Sequence, residues 1–259
     1  MLKGRPKEPT PPGLPPETRP IGQLVAEGIR LYGRRFWPSL ALGVPIAGYG
    51  ALATLFDGRD AVVAGLTAGT VLVTLTYVGA SAIAAERPVP RRRLLVAFAV
   101  GLIVFVPFPL LVLVYVLPAI AWLALVGLAV PAAVIEGTGV VDSLKRGYEL
   151  GKADYIHALG GLATLAITFY LSTRVMALAI NAGSGQAADI ARPLAEGILW
   201  PVVVLGSALL YFDQAARVES GGPRSRRSRD ADVHHADEPH RPGRADAEGE
   251  PRPATGGQP

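Results

Sequence analysis

From Leu94 to Ile135 the chain carries no Asp, Glu, Lys or Arg, and the next nineteen residues, Glu136–Asp154, carry seven of them. Water tolerates the second stretch and rejects the first, so a membrane surface lies near residue 136. A helix needs about 20 apolar residues to cross ~30 Å of hydrocarbon. The 42 residues of Leu94–Ile135 exceed one tilted helix and suit two, joined by a tight hairpin. Pro118 marks the start of the second helix, a favoured place for proline. The spans are then Leu94–Val114 and Pro118–Ile135, with Tyr115 at the interface between them. A break at Pro107 and Pro109 is the alternative, but it leaves about thirteen residues before it, short of a crossing.

Four further stretches read as spans. Trp37–Phe56 is the first, with Phe36 and Trp37 at its interface, where amphipathic aromatics settle, and Pro45 near its middle as a kink. Asp57–Asp60 is a turn and Ala61–Ala84 the second span. Ala61, Gly65 and Gly69 repeat at every fourth position, a small-residue face that permits close helix approach. Thr67, Thr70, Thr74, Tyr77 and Ser81 form a hydroxyl stripe, which either lines a pathway or bonds back to its own helix or a neighbour. Ile156–Leu178 is the fifth span, with His157, Gly161, Thr164, Thr168 and Ser172 on one face. Asn181–Arg192 is a polar loop, and Leu194–Ala215 the sixth span, with Pro201 inside it.

Two amphipathic helices complete the pattern. In Pro20–Phe36, Ile21, Leu24, Val25, Gly28, Leu31 and Tyr32 share a face at spacings of three and four, and Gln23, Glu27, Arg30 and Arg34 the other. Lying in the headgroup plane and packing on other helices both satisfy it. In Thr138–Tyr155, Thr138 suits an N-cap and Asp142 the first turn. Val141, Leu144, Tyr148 and Tyr155 share its apolar face, and Asp142, Lys145, Arg146, Glu149 and Lys152 the polar one. The fold class is therefore all-α: a polytopic membrane bundle of six transmembrane helices plus two interfacial amphipathic helices, over residues 20–219. Residues 1–19 and 220–259 hold too few apolar side chains to bury a core and read as disordered cytoplasmic segments. No apolar run follows the charged start, so it does not read as a signal peptide. His234, His235 and His240 fall in the C-terminal segment, and a solvated tail suits them better than a metal site.

Charge orients the bundle. Of the 25 Lys and Arg, 22 fall in the N-terminal segment through Arg35, the 86–93 loop, the 136–156 loop and the C-terminal segment. Arg59, Arg174 and Arg192 are the remaining three. The positive-inside rule then puts both termini in the cytoplasm. Arg outnumbers Lys 21 to 4, a usage typical of GC-rich bacterial genomes, so the expected location is a bacterial cytoplasmic membrane.

Three stretches resemble a known family. They are Ile21–Leu40 with Leu31-Tyr32-Gly33-Arg34-Arg35-Phe36; Leu117-Pro118-Ala119-Ile120 followed by Val130–Gly137, Ser143–Tyr148 and Gly151–Gly160; and Leu210-Tyr211-Phe212-Asp213 through Arg217. They resemble the membrane domain associated with bacterial glycerophosphodiester phosphodiesterases, over about residues 20–219. Ala119 stands where that family usually has Gly. The resemblance implies a membrane architecture. It implies no activity, because phosphodiester cleavage needs metal-binding carboxylates and a His pair in a soluble barrel, and no such domain follows Ala215.

The chemistry on offer is sparse. The chain has no cysteine, which excludes disulfides and thiolate sites. No Ser/His/Asp set, phosphate loop or nucleotide fingerprint occurs, so no catalytic residue, cofactor or metal site is assigned. Asp154 and His157 stand three apart near the inner surface, with Glu136 in reach, a spacing that suits a metal site, a proton relay or an interfacial pair. Arg174 lies far into the fifth span, where an ionisable residue is a functional candidate unless it snorkels to the outer surface. Acidic residues interspersed in the Arg-rich tail cancel its attraction for nucleic acid. The expected partners are anionic membrane lipids, met through Arg30, Arg34, Arg35, Lys145, Arg146 and Lys152, together with a membrane protein or a second copy of the chain.

Two functions fit. One is a non-catalytic membrane protein that organises lipids or partner proteins. The alternative is a transporter or channel for a small or lipidic solute, to which a weak internal duplication points: Gly33, Arg34 and Trp37 match Gly151, Lys152 and Tyr155 at a constant offset. Reporter fusions test the topology. Fusions at Gly58 and Gly185 should report outside, and those at Pro90 and Ser220 inside; a cytoplasmic signal at Gly58 would overturn the scheme.

Overall fold

A computed structural model describes residues 21–53, 56–181 and 185–219. The segments expected to be disordered, with His234, His235 and His240, lie outside the described residues. The described chain is a helical bundle without strands. In order it forms α1 (Ile21–Arg34), α2 (Phe36–Ala53), α3 (Gly58–Ala64), a π-helical turn (Gly65–Gly69), α4 (Thr70–Ala84), α5 (Arg91–Phe105), α6 (Phe108–Val114), α7 (Val116–Val126), α8 (Ala129–Ile135), α9 (Val140–Ala153), α10 (Tyr155–Asn181) and α11 (Gly185–Glu219). Among the described residues, six stretches are long and apolar enough to cross a membrane: Phe36–Ala53, Gly58–Ala84, Arg91–Val114, Val116–Ile135, Tyr155–Met176 and Arg192–Glu219. This is a multi-pass membrane protein.

The hairpin between the third and fourth spans turns at Tyr115, which is extended between α6 and α7. Pro107 does break a helix, but inside the third span, between α5 and α6. The last carbonyls of α5 lose intrahelical donors there. The Trp122 indole of α7 donates to one of them, Val104 O, at 2.8 Å. The fourth span breaks again, at Gly127 and Leu128. The expected polar loop Asn181–Arg192 is corrected: α10 runs to Asn181 and α11 starts at Gly185. Helix formation costs little there, because Gln186, Ala187, Ala188 and Ala191 are good helix formers.

The hydroxyl stripe of the second span mostly bonds backward, as one of its two readings has it. Thr67 and Ser81 donate to the carbonyls four residues back, Val63 and Tyr77, at 2.7 and 2.8 Å. Tyr77 instead reaches Ser207 O on α11 at 3.4 Å. Gly65 and Gly69 meet the Tyr49 ring of α2 rather than a neighbouring backbone.

α11 is the helix on which α1, α2, α4 and α10 assemble. Gly43 of α2 lies against Gly197, and Gly50 against Pro193, so the two helices run antiparallel. A Cβ on Gly43 would overlap the Gly197 carbonyl. α1 packs across α10 and α11: Leu24 beside Gly161 and Leu210, Gly28 over the Val202 carbonyl and Gly206. The apolar face expected for α1 is thus a packed face, with Leu24, Gly28 and Leu31 buried.

α9 departs from expectation. Its buried residues are Ser143, Gly147, Leu150 and Gly151, and Val141 and Tyr148 stay 62% and 45% exposed. Two glycines explain the turn of the helix. Gly147 lies against the Ala129 backbone and Gly151 against the Ala124 and Leu125 carbonyls, contacts closer than any Cβ allows. Close backbone approach wins over the hydrophobic stripe. Thr138 is not the N-cap either. Gly139 takes that position, and the Thr138 hydroxyl bonds Ser143 Oγ at 2.7 Å.

Gly43→Val should therefore destabilise the bundle by about 1–3 kcal/mol, since backbone cannot yield as a side chain can. Gly33→Ala, with nothing within 4 Å of its Cβ position, should be neutral or stabilising. Thermal unfolding in detergent separates the two; equal loss in both would remove the packing account.

Candidate functional site

One end of the bundle collects the charges. Arg34 pairs with Glu86 at 2.9 Å. Arg87 and Arg93 both donate to Ile135 O, the carbonyl that closes α8, and so supply donors that the helix end lacks. Gly137 follows with φ +75°, and Arg93 lies where its Cβ would stand. A side chain there would meet both strain and collision.

Behind that carbonyl, Glu136 Oε1 accepts from the Tyr211 hydroxyl at 2.6 Å and from Arg146 Nε at 2.8 Å. The bond to Glu136 holds the Arg146 guanidinium above its ordinary pKa, against the lowering that burial causes. Arg146, expected to meet lipid, is bonded inward to Glu136, and its i,i+3 neighbour Glu149 lies at 3.9 Å. Six residues further along α11, Arg217 donates to Asp154 Oδ2 at 2.9 Å and stands 3.3 Å from His157 Nε2. Gln214 Nε2 donates to the Asp154 carbonyl at 3.3 Å, and Asp154 Oδ1 accepts the His157 backbone N–H.

Asp154 and His157 are thus brought together as their spacing predicts, but around an Arg that sequence reading left in the tail. Glu136 belongs to a separate set, joined to theirs through α11. A guanidinium between carboxylate and imidazole is poor company for a cation. Among the described residues no three His, Asp or Glu side chains gather to hold a metal. The network reads as a clamp that fixes the end of α11 to α8, α9 and α10.

The other expected site residues point outward. Arg30 pairs with its own Glu27 at 2.8 Å. Lys145 and Lys152 are exposed, and with Val141 and Tyr148 they form one stripe on α9. Arg35, Glu86 and Arg87 line a cleft of about 410 Å³ over Pro38 and Ile83. Arg174 is exposed and lies over the ring of Tyr170 on its own helix, 5.0 Å from the centroid. Two further spaces lie along α11: an apolar one of about 130 Å³ and, beyond Trp200, one of about 550 Å³ that ends at Arg192 and Glu196. Sequence reading did not find either, because each is formed by helices distant along the chain.

Comparison with protein-family models, with curated proteins and with solved structures finds no significant match.

The clamp predicts coupled energetics. Asp154→Asn and Arg217→Gln should each destabilise, and the double variant should lose less than their sum, with a coupling of about 0.5–3 kcal/mol. SDS-titrated unfolding of the four proteins measures it; strict additivity would show that the pair holds nothing in place.

Proposed function

We propose that this is a non-catalytic integral membrane protein of a bacterial cytoplasmic membrane, with both termini cytoplasmic, that gathers anionic lipid around its basic end. The observation that carries the reading is the sorting of charge on α9. Arg146 turns inward to Glu136, while Lys145 and Lys152 stay exposed beside Val141 and Tyr148. A helix with apolar and basic residues on one uncovered face suits a headgroup layer. On α1 and the start of α2, Arg30, Arg34 and Arg35 stay exposed beside Ile29, Phe36 and Trp37 in the same manner. Each basic residue near an anionic leaflet contributes ~1 kcal/mol, which enriches lipid neighbours without selecting one species. The cleft at Arg35 and Arg87 offers a phosphate the same chemistry.

Membership of the glycerophosphodiester phosphodiesterase-associated membrane domain family is part of this proposal. The stretches that carry that resemblance supply Glu136, Arg146, Asp154, His157, Tyr211 and Arg217, so the residues behind the likeness are those of the clamp. A membrane-protein partner or a second copy would meet the same surface. Transport of a lipidic solute is the second reading, and the apolar space at Trp200 favours it.

Lys145→Glu with Lys152→Glu should lower the anionic fraction of lipid retained in native nanodiscs and leave unfolding unchanged. Arg146→Gln should do the reverse, with lipid unchanged and stability reduced. Equal lipid composition in all three proteins would overturn the surface reading.

A further inference from the structure

Three breaks in helix geometry meet around the spaces along α11. The inner one touches Phe105 and Phe108, on either side of the α5–α6 break, and Gly127 and Leu128 at the α7–α8 break. The outer one touches Gly69, where the π turn ends. Both share Val73 and Trp200. Together they follow α11 from Arg192 to Ser207, about 22 Å at 1.5 Å per residue. Irregular backbone at membrane depth persists only where protein buries it or a cavity borders it. Discontinuous helices and π turns both concentrate at binding sites.

Wall chemistry selects the occupant. The Trp200 indole donates to Thr76 Oγ1 at 3.1 Å and the Tyr77 hydroxyl to Ser207 O. The polar atoms of both aromatics are therefore turned to protein, and carbon faces the inner space. An apolar cavity near this size stays dry and admits hydrocarbon; about 150 Å³ holds a benzene. At the other end, Arg192 Nε and Glu196 Oε1 lie 2.9 Å apart beside Tyr49. That pair is neutral as a unit. A singly charged head would have to displace one member from the other, whereas a head with both a phosphate and an amine can engage each in turn.

We propose that these two spaces, adjacent at Val73 and Trp200, together hold one membrane lipid, with a zwitterionic phosphate–amine head at Arg192 and Glu196 and the end of a hydrocarbon chain passing Trp200 to lie between Phe105 and Leu128. The proposal does not rest on the basic surface described above, which lies at the opposite end of α11.

The test uses the full chain in nanodiscs doped with a photoreactive diazirine at the end of a hydrocarbon chain. Three probes are compared: a phosphoethanolamine lipid, a phosphoglycerol lipid and the alkane without a head. Adducts of the first should map to the Phe105–Phe108 and Gly127–Leu128 segments, in roughly tenfold excess over the second, as one lost charge contact of 1.4 kcal/mol requires. Ala166→Phe, which fills the inner space, should abolish those adducts while labels at the outward Leu95, Leu113 and Leu171 persist. Should that variant fail to fold, Glu196→Gln at the mouth carries the test: it leaves Arg192 without its carboxylate and should reverse the preference toward phosphoglycerol. Lys145→Glu with Lys152→Glu should leave the inner adducts unchanged, which separates this site from the surface reading. Adducts confined to outward faces, equal labelling by all three probes, or inner adducts that survive Ala166→Phe would each overturn the assignment.

Discussion

In hydrocarbon an apolar side chain gains nothing by leaving lipid for another helix. Association then rests on close van der Waals contact and on polar bonds. α11 supplies both. Gly197 and Gly206 let α2 and α1 approach its backbone, and Leu165 of α10 lies against Gly206. Toward its C-terminus, Tyr211 bonds to Glu136 just after α8, and Gln214 and Arg217 bond to Asp154 between α9 and α10. α1, α2, α4 and α10 are placed by what α11 offers them, while α5 packs on α4 and α8 instead.

The same constraint accounts for the breaks. Every backbone group freed inside the membrane needs a partner from the protein. Where α5 ends, the Trp122 indole takes the Val104 carbonyl. Across the π turn, the Thr70 backbone N–H closes on the Gly65 carbonyl five residues back, and the Thr70 hydroxyl lies 3.5 Å from the same oxygen. Where α8 ends, Arg87 and Arg93 converge on Ile135 O. The breaks are therefore fixed shapes, and they leave room between helices instead of open backbone.

Charge at the basic end divides into two kinds. Arg146 and Arg217 are part-buried, each bonded to a carboxylate, and removing either partner would leave a charge exposed to poor solvation. Arg30, Arg34, Lys145 and Lys152 stand in the open. Their ion pairs, where they have any, are surface pairs of small energetic weight. The first group holds the bundle together; the second is available to whatever borders it.

Much of this was legible in the chain. A run of 42 uncharged residues followed by seven charges admits only a membrane fold with a surface near Glu136. The lengths of the apolar stretches set the number of spans, because hydrocarbon thickness is a fixed ruler. The hairpin at Tyr115 followed from the same ruler. What periodicity misjudged was α9. Its stripe of Val141, Leu144, Tyr148 and Tyr155 pointed to one buried face, but Gly147 and Gly151 pack backbone to backbone and turn another inward. The identity of the neighbour, not the hydrophobic pattern, decided the orientation. The pairing of Asp154 with Arg217 and of Glu136 with Tyr211 was equally out of reach, since 63 and 75 residues separate the partners. Local sequence determined which segments enter the membrane, through transfer energies that each segment carries by itself. Tertiary structure alone decided which charges are enclosed and where the helices leave space, because both depend on contacts between segments that no single stretch encodes.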